Sequence, residues 1–176
     1  MSAERNVKAE TKEHTVTGQI PWSETCFGCN GGPNEGVGLR LAVTDDGYVA
    51  CRYFTKECHQ GFPGFVHGGI IASYFDEVLW GQTVILAPEA SAMTVEMNIR
   101  YLSAVKTGQE IRVIAKPAKV EGRHIYVEGF LLLPDDTVAV TAKAHYITVK
   151  KSNTLTEHEN ERMKHGEEPA YRTIRF

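Results

Sequence analysis

The chain is short of cysteine, of long apolar runs and of net charge, and each shortage closes off a class of protein. Four cysteines in 176 residues, Cys26, Cys29, Cys51 and Cys58, are too few for a disulfide framework, and a reducing compartment would keep them as thiols. No stretch approaches the roughly 18 uninterrupted apolar residues of a membrane span. Between Met1 and Ile20 the only large aliphatic side chains are Val7 and Val16, so no apolar signal core is present, and Glu4, Glu10 and Glu13 argue against a basic transit peptide. A formal net charge of −3 and a pI near 6.2 supply no basic field for nucleic acid. Repeats and low-complexity tracts are lacking too. The expectation is a soluble cytoplasmic protein whose partners include neither membrane nor nucleic acid.

What is present is the material of one ordinary domain: 42% hydrophobic and 23% charged residues, enough to bury a core. Residues 1–19 are polar and aperiodic and read as a flexible arm. The domain proper spans 20–150, and 151–176 is a polar tail in which Glu157, Glu159, Glu161, Arg162 and Lys164 would form at most a solvated helix. Gly28, Gly31, Gly32, Pro33, Asn34, Gly36 and Gly38 mark a loop ahead of a strand at 39–43. Asp46-Gly47 then predicts a tight hairpin into a second strand at 48–54.

Residues 70–80 hold eight apolar side chains in eleven, too long and too uniform for a strand, and predict a buried helix. At about 100° per residue, Gly69, Ser73, Asp76 and Trp80 share one sector of it. Downstream, Met93, Val95, Met97, Ile99 and Tyr101 alternate with Thr94, Glu96, Asn98 and Arg100, the pattern of a strand with one buried face. Further strands are predicted at 111–115, 123–132 and 137–149, split by turns at Glu121-Gly122 and Pro134-Asp135-Asp136. An antiparallel sheet with a single apolar helix must curl around it, which is an α+β architecture.

The chemistry concentrates at the start of that helix. Gly68 and Gly69 leave backbone N–H groups at the positive end of the helix dipole with no side chain in the way, an arrangement suited to an anion or oxyanion. Asp76 is a carboxylate among Phe75, Val78, Leu79 and Trp80, and pays desolvation without a partner or a task. It follows Gly69 by two turns, about 10 Å along the axis, too far for both to act on one carbonyl within one chain. Two antiparallel helices meeting across a dimer would bring them together. Glu77, rotated about 100° from Asp76, is expected to face solvent. Thr94, on the polar side of its strand, can position a water or a carboxylate. His67 has no Ser or Cys nucleophile beside it in sequence and reads as a residue that orients the loop. Cys26-Phe27-Gly28-Cys29 has the gap of a zinc knuckle, with Cys51, Cys58 and His59 as conceivable further ligands, but the second half lacks matching spacing and unlinked thiols are the favoured reading.

The run Gly61-Phe62-Pro63-Gly64-Phe65-Val66-His67-Gly68-Gly69, followed by Ala72, Asp76 and Thr94, resembles the hotdog-fold acyl-coenzyme A thioesterases of the phenylacetate-degradation type. The Cys-Phe-x-Cys segment is similar to that of some members. The resemblance implies a curved antiparallel sheet wrapped around one long helix, homodimers or dimers of dimers, and sites between subunits that take acyl-coenzyme A and need no cofactor or metal. It implies catalytic roles for Gly68 as oxyanion donor, for Asp76 of the partner as general base or nucleophile, and for Thr94 as a holder of the attacking water. His67 and Gly69 would contact substrate. Six residues before the histidine, where part of the family carries Asn or Gln, this chain has Gly61, and the adjacent Gln60 is the candidate substitute. Arg100, Lys119, Arg123 and Lys143 are available to meet coenzyme A phosphates, with none assigned. A hydratase would need an acidic residue fourteen positions after His59, where Ser73 stands, so hydrolysis ranks first; a non-catalytic acyl-coenzyme A binder is the other alternative. Loss of activity on chelation would point back to the cysteines.

Overall fold

The computed structural model describes residues 7–31, 36–150, 163–164 and 168–176. The middle of the glycine-rich loop and the stretch holding Glu157, Glu159, Glu161 and Arg162 lie outside them. Strands β1 (Glu13–Gln19), β2 (Trp22–Ser23), β3 (Ala42–Thr44) and β4 (Val49–Phe54) precede helix α1 (Gly68–Leu86). Then come β5 (Ala90–Tyr101), β6 (Glu110–Ala115), β7 (Lys119–Glu121), β8 (His124–Leu132), β9 (Val138–Lys150), β10 (Met163–Lys164) and β11 (Thr173–Arg175). The main sheet is antiparallel in the order β11-β1-β3-β4-β6-β8-β9-β5, with β7 paired on β8 and a separate β10–β2 pair. The α+β hotdog architecture expected from the sequence is the one observed, with one long helix against a large antiparallel sheet. No helix of the described residues is long and apolar enough to cross a membrane.

The hairpin is built as its sequence demands. Gly47 takes φ +84°, which a side chain would resist, and the Thr44 hydroxyl donates to Asp46 while Gly47 N–H donates to the Thr44 carbonyl. Helix α1 lays Ile71, Tyr74, Phe75, Val78 and Leu79 into the sheet against Val49, Val113, Ile125, Val127 and Tyr146. The close approach depends on Gly129 of β8, where a Cβ would fall 2.5 Å from the Ile114 carbonyl oxygen and 2.7 Å from Leu79 Cδ2. Gly129→Ala is accordingly expected to cost about 1–3 kcal/mol by overpacking, read as a lower urea midpoint at unchanged slope. An unmoved midpoint would contradict this packing.

Both chain ends depart from the reading as flexible arm and peripheral tail. Glu13–Gln19 form β1, and Thr173–Arg175 form β11 beside it, because the sheet has a second apolar face to cover. Ala50, Ile114 and Leu132 on that face pack with Ile174 and Phe176. The buried His14 ring stacks on Phe176 at 3.8 Å and hydrogen-bonds Asp46 at 2.9 Å. Burial pushes the Asp46 carboxyl up, but hydrogen bonds from His14, Thr44 and Lys12 outweigh it and hold the group well below the usual carboxylate range. A carboxylate depressed in the folded state stabilises it above the unfolded value, about pH 4, and loses that contribution as pH falls toward the folded value. The stability gap between wild type and Asp46→Asn should be full at neutral pH and close in acid. A gap constant from neutral pH to about pH 2 in denaturation curves would refute the linkage.

Strand β5 corrects the simple alternation. A bulge at Val95 separates the Thr94–Tyr146 pair from the Glu96–His145 pair. Beyond it Met97 and Ile99 pack on the core as expected, whereas Met93, Val95 and Tyr101 are exposed. The extra residue flips the strand's parity, so Thr94 lies on the same face as buried Tyr146, toward α1, instead of on the polar side. β5 is also the edge of the sheet.

Candidate active site

Helix α1 opens with His67 as its N-cap: the ring Nδ1 accepts from Gly69 N–H at 3.0 Å. This cap spends the Gly69 donor on the protein, so of the two glycines it is Gly68 that keeps an N–H without an acceptor among the described residues. Tyr101 Oη donates to the Gly68 carbonyl at 2.9 Å and braces the turn from β5. Gln60 holds the preceding loop, its Oε1 accepting from Gly64 N–H at 3.2 Å, and Gly64 takes φ +81°. His67, Gly68, Gly69 and Gln60 are all exposed.

Two turns on, Asp76 Oδ1 accepts from Thr94 Oγ1 at 3.0 Å, a contact created by the β5 bulge. The Tyr146 hydroxyl reaches the Asp76 carbonyl at 3.4 Å. Gly69, Ser73, Asp76 and Trp80 share a stripe of α1 that is not buried, whereas Ile71, Tyr74, Phe75, Val78 and Leu79 are buried. Gly68 lies eight residues from Asp76, about 12 Å of rise along one helix, so the structure unites Asp76 with Thr94 but leaves Gly68 apart from them within the chain. The carboxylate sits at a pocket of about 420 Å³ lined by Trp80, Val84, Ala92, Met93 and Thr94 among others. Its wall is mostly apolar; Ser91, which the sequence did not single out, adds a buried hydroxyl with no hydrogen-bond partner among the described residues.

Glu77 does not face solvent, contrary to expectation. It is half-buried, and Cys29 Sγ donates to Oε1 at 2.8 Å and Cys26 Sγ to Oε2 at 3.6 Å. Burial pushes its carboxyl up to about 7 against the Cys29 hydrogen bond that lowers it. Cys51 is buried in β4 and Cys58 is exposed near His59; neither they nor His59 join the cysteine pair, so the four-ligand set considered from sequence is not assembled. Of the cations available for phosphates, Lys143 and Lys119 pair with Glu128 and Glu121, and Arg123 donates to the Thr148 carbonyl.

Residues 63–147 match the family model of the thioesterase superfamily. Acyl-coenzyme A thioesterase THEM4 of Rattus norvegicus is 33% identical over 126 residues, which are 69% of this chain and 54% of that protein. The chain spans about half the length of the curated relatives it matches. Among solved structures, a phenylacetic acid degradation-related thioesterase-like protein of Ralstonia eutropha is 26% identical with a TM-score of 0.56, covering 64% of this chain and 86% of that one. A Streptococcus mutans protein crystallised with acetyl CoA shares the fold at 19% identity and a TM-score of 0.56, covering 65% and 91%. The matched segment carries His67, Gly68, the helix and the β5 residues of the site, and over that segment the chain is similar to the thioesterase superfamily and has its hotdog fold.

Proposed function

We propose that this protein hydrolyses an acyl-coenzyme A thioester to the free acid and coenzyme A, at a site shared by two subunits. The observation that carries the reading is the Asp76 carboxylate held by Thr94 at 3.0 Å on the edge of a largely apolar pocket. Asp76, one oxygen taken by the threonine hydroxyl, keeps its other to accept a proton from water, and Thr94 fixes the plane of the carboxylate. Gly68 N–H of the partner subunit, with the helix dipole behind it, donates to the carbonyl oxygen and more strongly to the oxyanion of the tetrahedral intermediate. Collapse of that intermediate expels the thiolate of coenzyme A, and the acyl chain occupies the pocket beside Trp80 and Val84. The names of the relatives support the reaction class, and the exposed apolar residues Met93, Val95 and Tyr101 on edge strand β5 support a subunit contact.

The reading is tested by following free thiol released from a panel of aryl and fatty acyl-coenzyme A substrates. Turnover of at least one at a kcat in the common enzymatic range, about 1–10³ s⁻¹, is the expected result. Tight binding across the panel with no thiol release would replace hydrolysis by a non-catalytic acyl-coenzyme A binder.

A further inference from the structure

We infer that Cys26, Cys29 and Glu77 form a binding site for one zinc-class divalent cation, which ties the loop between β2 and β3 to α1 beside Asp76. The sequence reading assigned no metal, since the cysteine pair had no matching second half. The fold supplies the third donor from a helix 48 residues away: the two Sγ atoms and a Glu77 carboxylate oxygen all lie within 4.8 Å of one another, the one such group among the described residues. A tetrahedral ion with bonds near 2.3 Å to sulfur and 2.0–2.2 Å to oxygen sets its donors roughly 3.5–3.8 Å apart. The sulfur–oxygen distances here, 2.8 Å from Cys29 Sγ to Oε1 and 3.6 Å from Cys26 Sγ to Oε2, are within an ångström of that.

The loop is shaped around these atoms. Cys29 N–H points at Cys26 Sγ at 3.4 Å, the amide-to-sulfur contact that favours a thiolate ligand over a thiol. A Cβ on Gly28 would fall 2.2 Å from Glu77 Oε2, so the intervening residue leaves the carboxylate room to enter the turn. Arg40, stacked over Trp22 at 3.6 Å, donates to the Cys29 carbonyl and anchors the loop from behind. Two sulfurs and one carboxylate select a borderline-soft ion such as zinc over magnesium or calcium, which take oxygen alone. The fourth position falls to water or to a group entering the pocket, whose wall includes Cys26, Cys29 and Glu77 together with Asp76. The ion is a positioning element: it fixes the pocket wall one residue from the proposed base. It stands independently of the hydrolase reading.

The test is a titration of the reduced, chelator-stripped full chain with Co²⁺ alone. Thiolate-to-cobalt charge-transfer absorption saturating at one equivalent, displaced by Zn²⁺, is expected. Cys29→Ser and Glu77→Gln should each weaken binding by more than the roughly 10–100-fold that loss of an outer-shell partner costs. Cys26→Ser, at the more exposed sulfur, is the second variant should Cys29→Ser fold poorly. Folded, reduced wild type that gives no such absorption, its thiols reacting freely with a thiol reagent in the presence of Zn²⁺, would overturn the proposal. So would cobalt binding unaltered in all three variants.

Discussion

Asp76→Asn is expected to lower kcat for thioester hydrolysis by about 10²- to 10⁴-fold, the usual worth of a positioned general base. The substitution is chosen to separate chemistry from folding. Asparagine keeps the shape, and its Oδ1 can still accept from Thr94 Oγ1, the one side-chain contact the carboxylate makes among the described residues. The side chain is exposed, so little packing is at stake and the melting temperature should stay close to wild type. KM should change little, because the carboxylate acts on water and not on the acyl chain. Equal turnover by wild type, Asp76→Asn and Asp76→Ala would remove Asp76 from the mechanism.

Gly68→Pro is expected to cost about 10²- to 10³-fold in kcat, the loss on deleting one oxyanion donor. Proline is an unusually clean deletion at this position. Gly68 is the first helical residue, where a missing N–H breaks no helix hydrogen bond. His67 before it already has φ −63° and ψ 138°, the extended conformation a residue preceding proline prefers. The nearest atoms to an added Cβ are those of the Tyr101 ring at 3.7 Å, an ordinary contact. Gly68→Ala, which adds the carbon and keeps the N–H, is the control and should lose far less. Proline and alanine variants of equal activity would mean that the N–H does no catalytic work.

The fold was readable because each main element carries its own signal: an apolar run too long for a strand became α1, and Asp46-Gly47 became the β3–β4 turn. The chain ends were misread because Val16, Ile174 and Phe176 are too few to show a period. Their burial depends on the outer face of a sheet assembled from distant strands. Within the site, family likeness assigned Asp76 and Thr94 to one attacking water, without naming the hydrogen bond that joins them. Simple alternation placed Thr94 on the wrong face, since a one-residue bulge leaves no mark in composition. Glu77 was missed for a related reason. Helical rotation separates it from Asp76 correctly, but what it faces is a loop 48 residues upstream, and only the folded chain brings the thiols there.

If each proposed site takes Asp76 from one subunit and Gly68 from the other, mixing two impaired variants restores activity that neither has alone. Asp76→Asn and Gly68→Pro proteins are each expected to keep at most about one hundredth of wild-type turnover. Co-refolded in equal amounts, they should form mixed two-fold dimers in which one of the two sites has both groups intact. Random pairing then restores about one quarter of wild-type thiol release. Mixed dimers, verified by differential tagging, that remain as inactive as their parents would contradict the shared site and return Asp76 and Gly68 to separate roles within one chain.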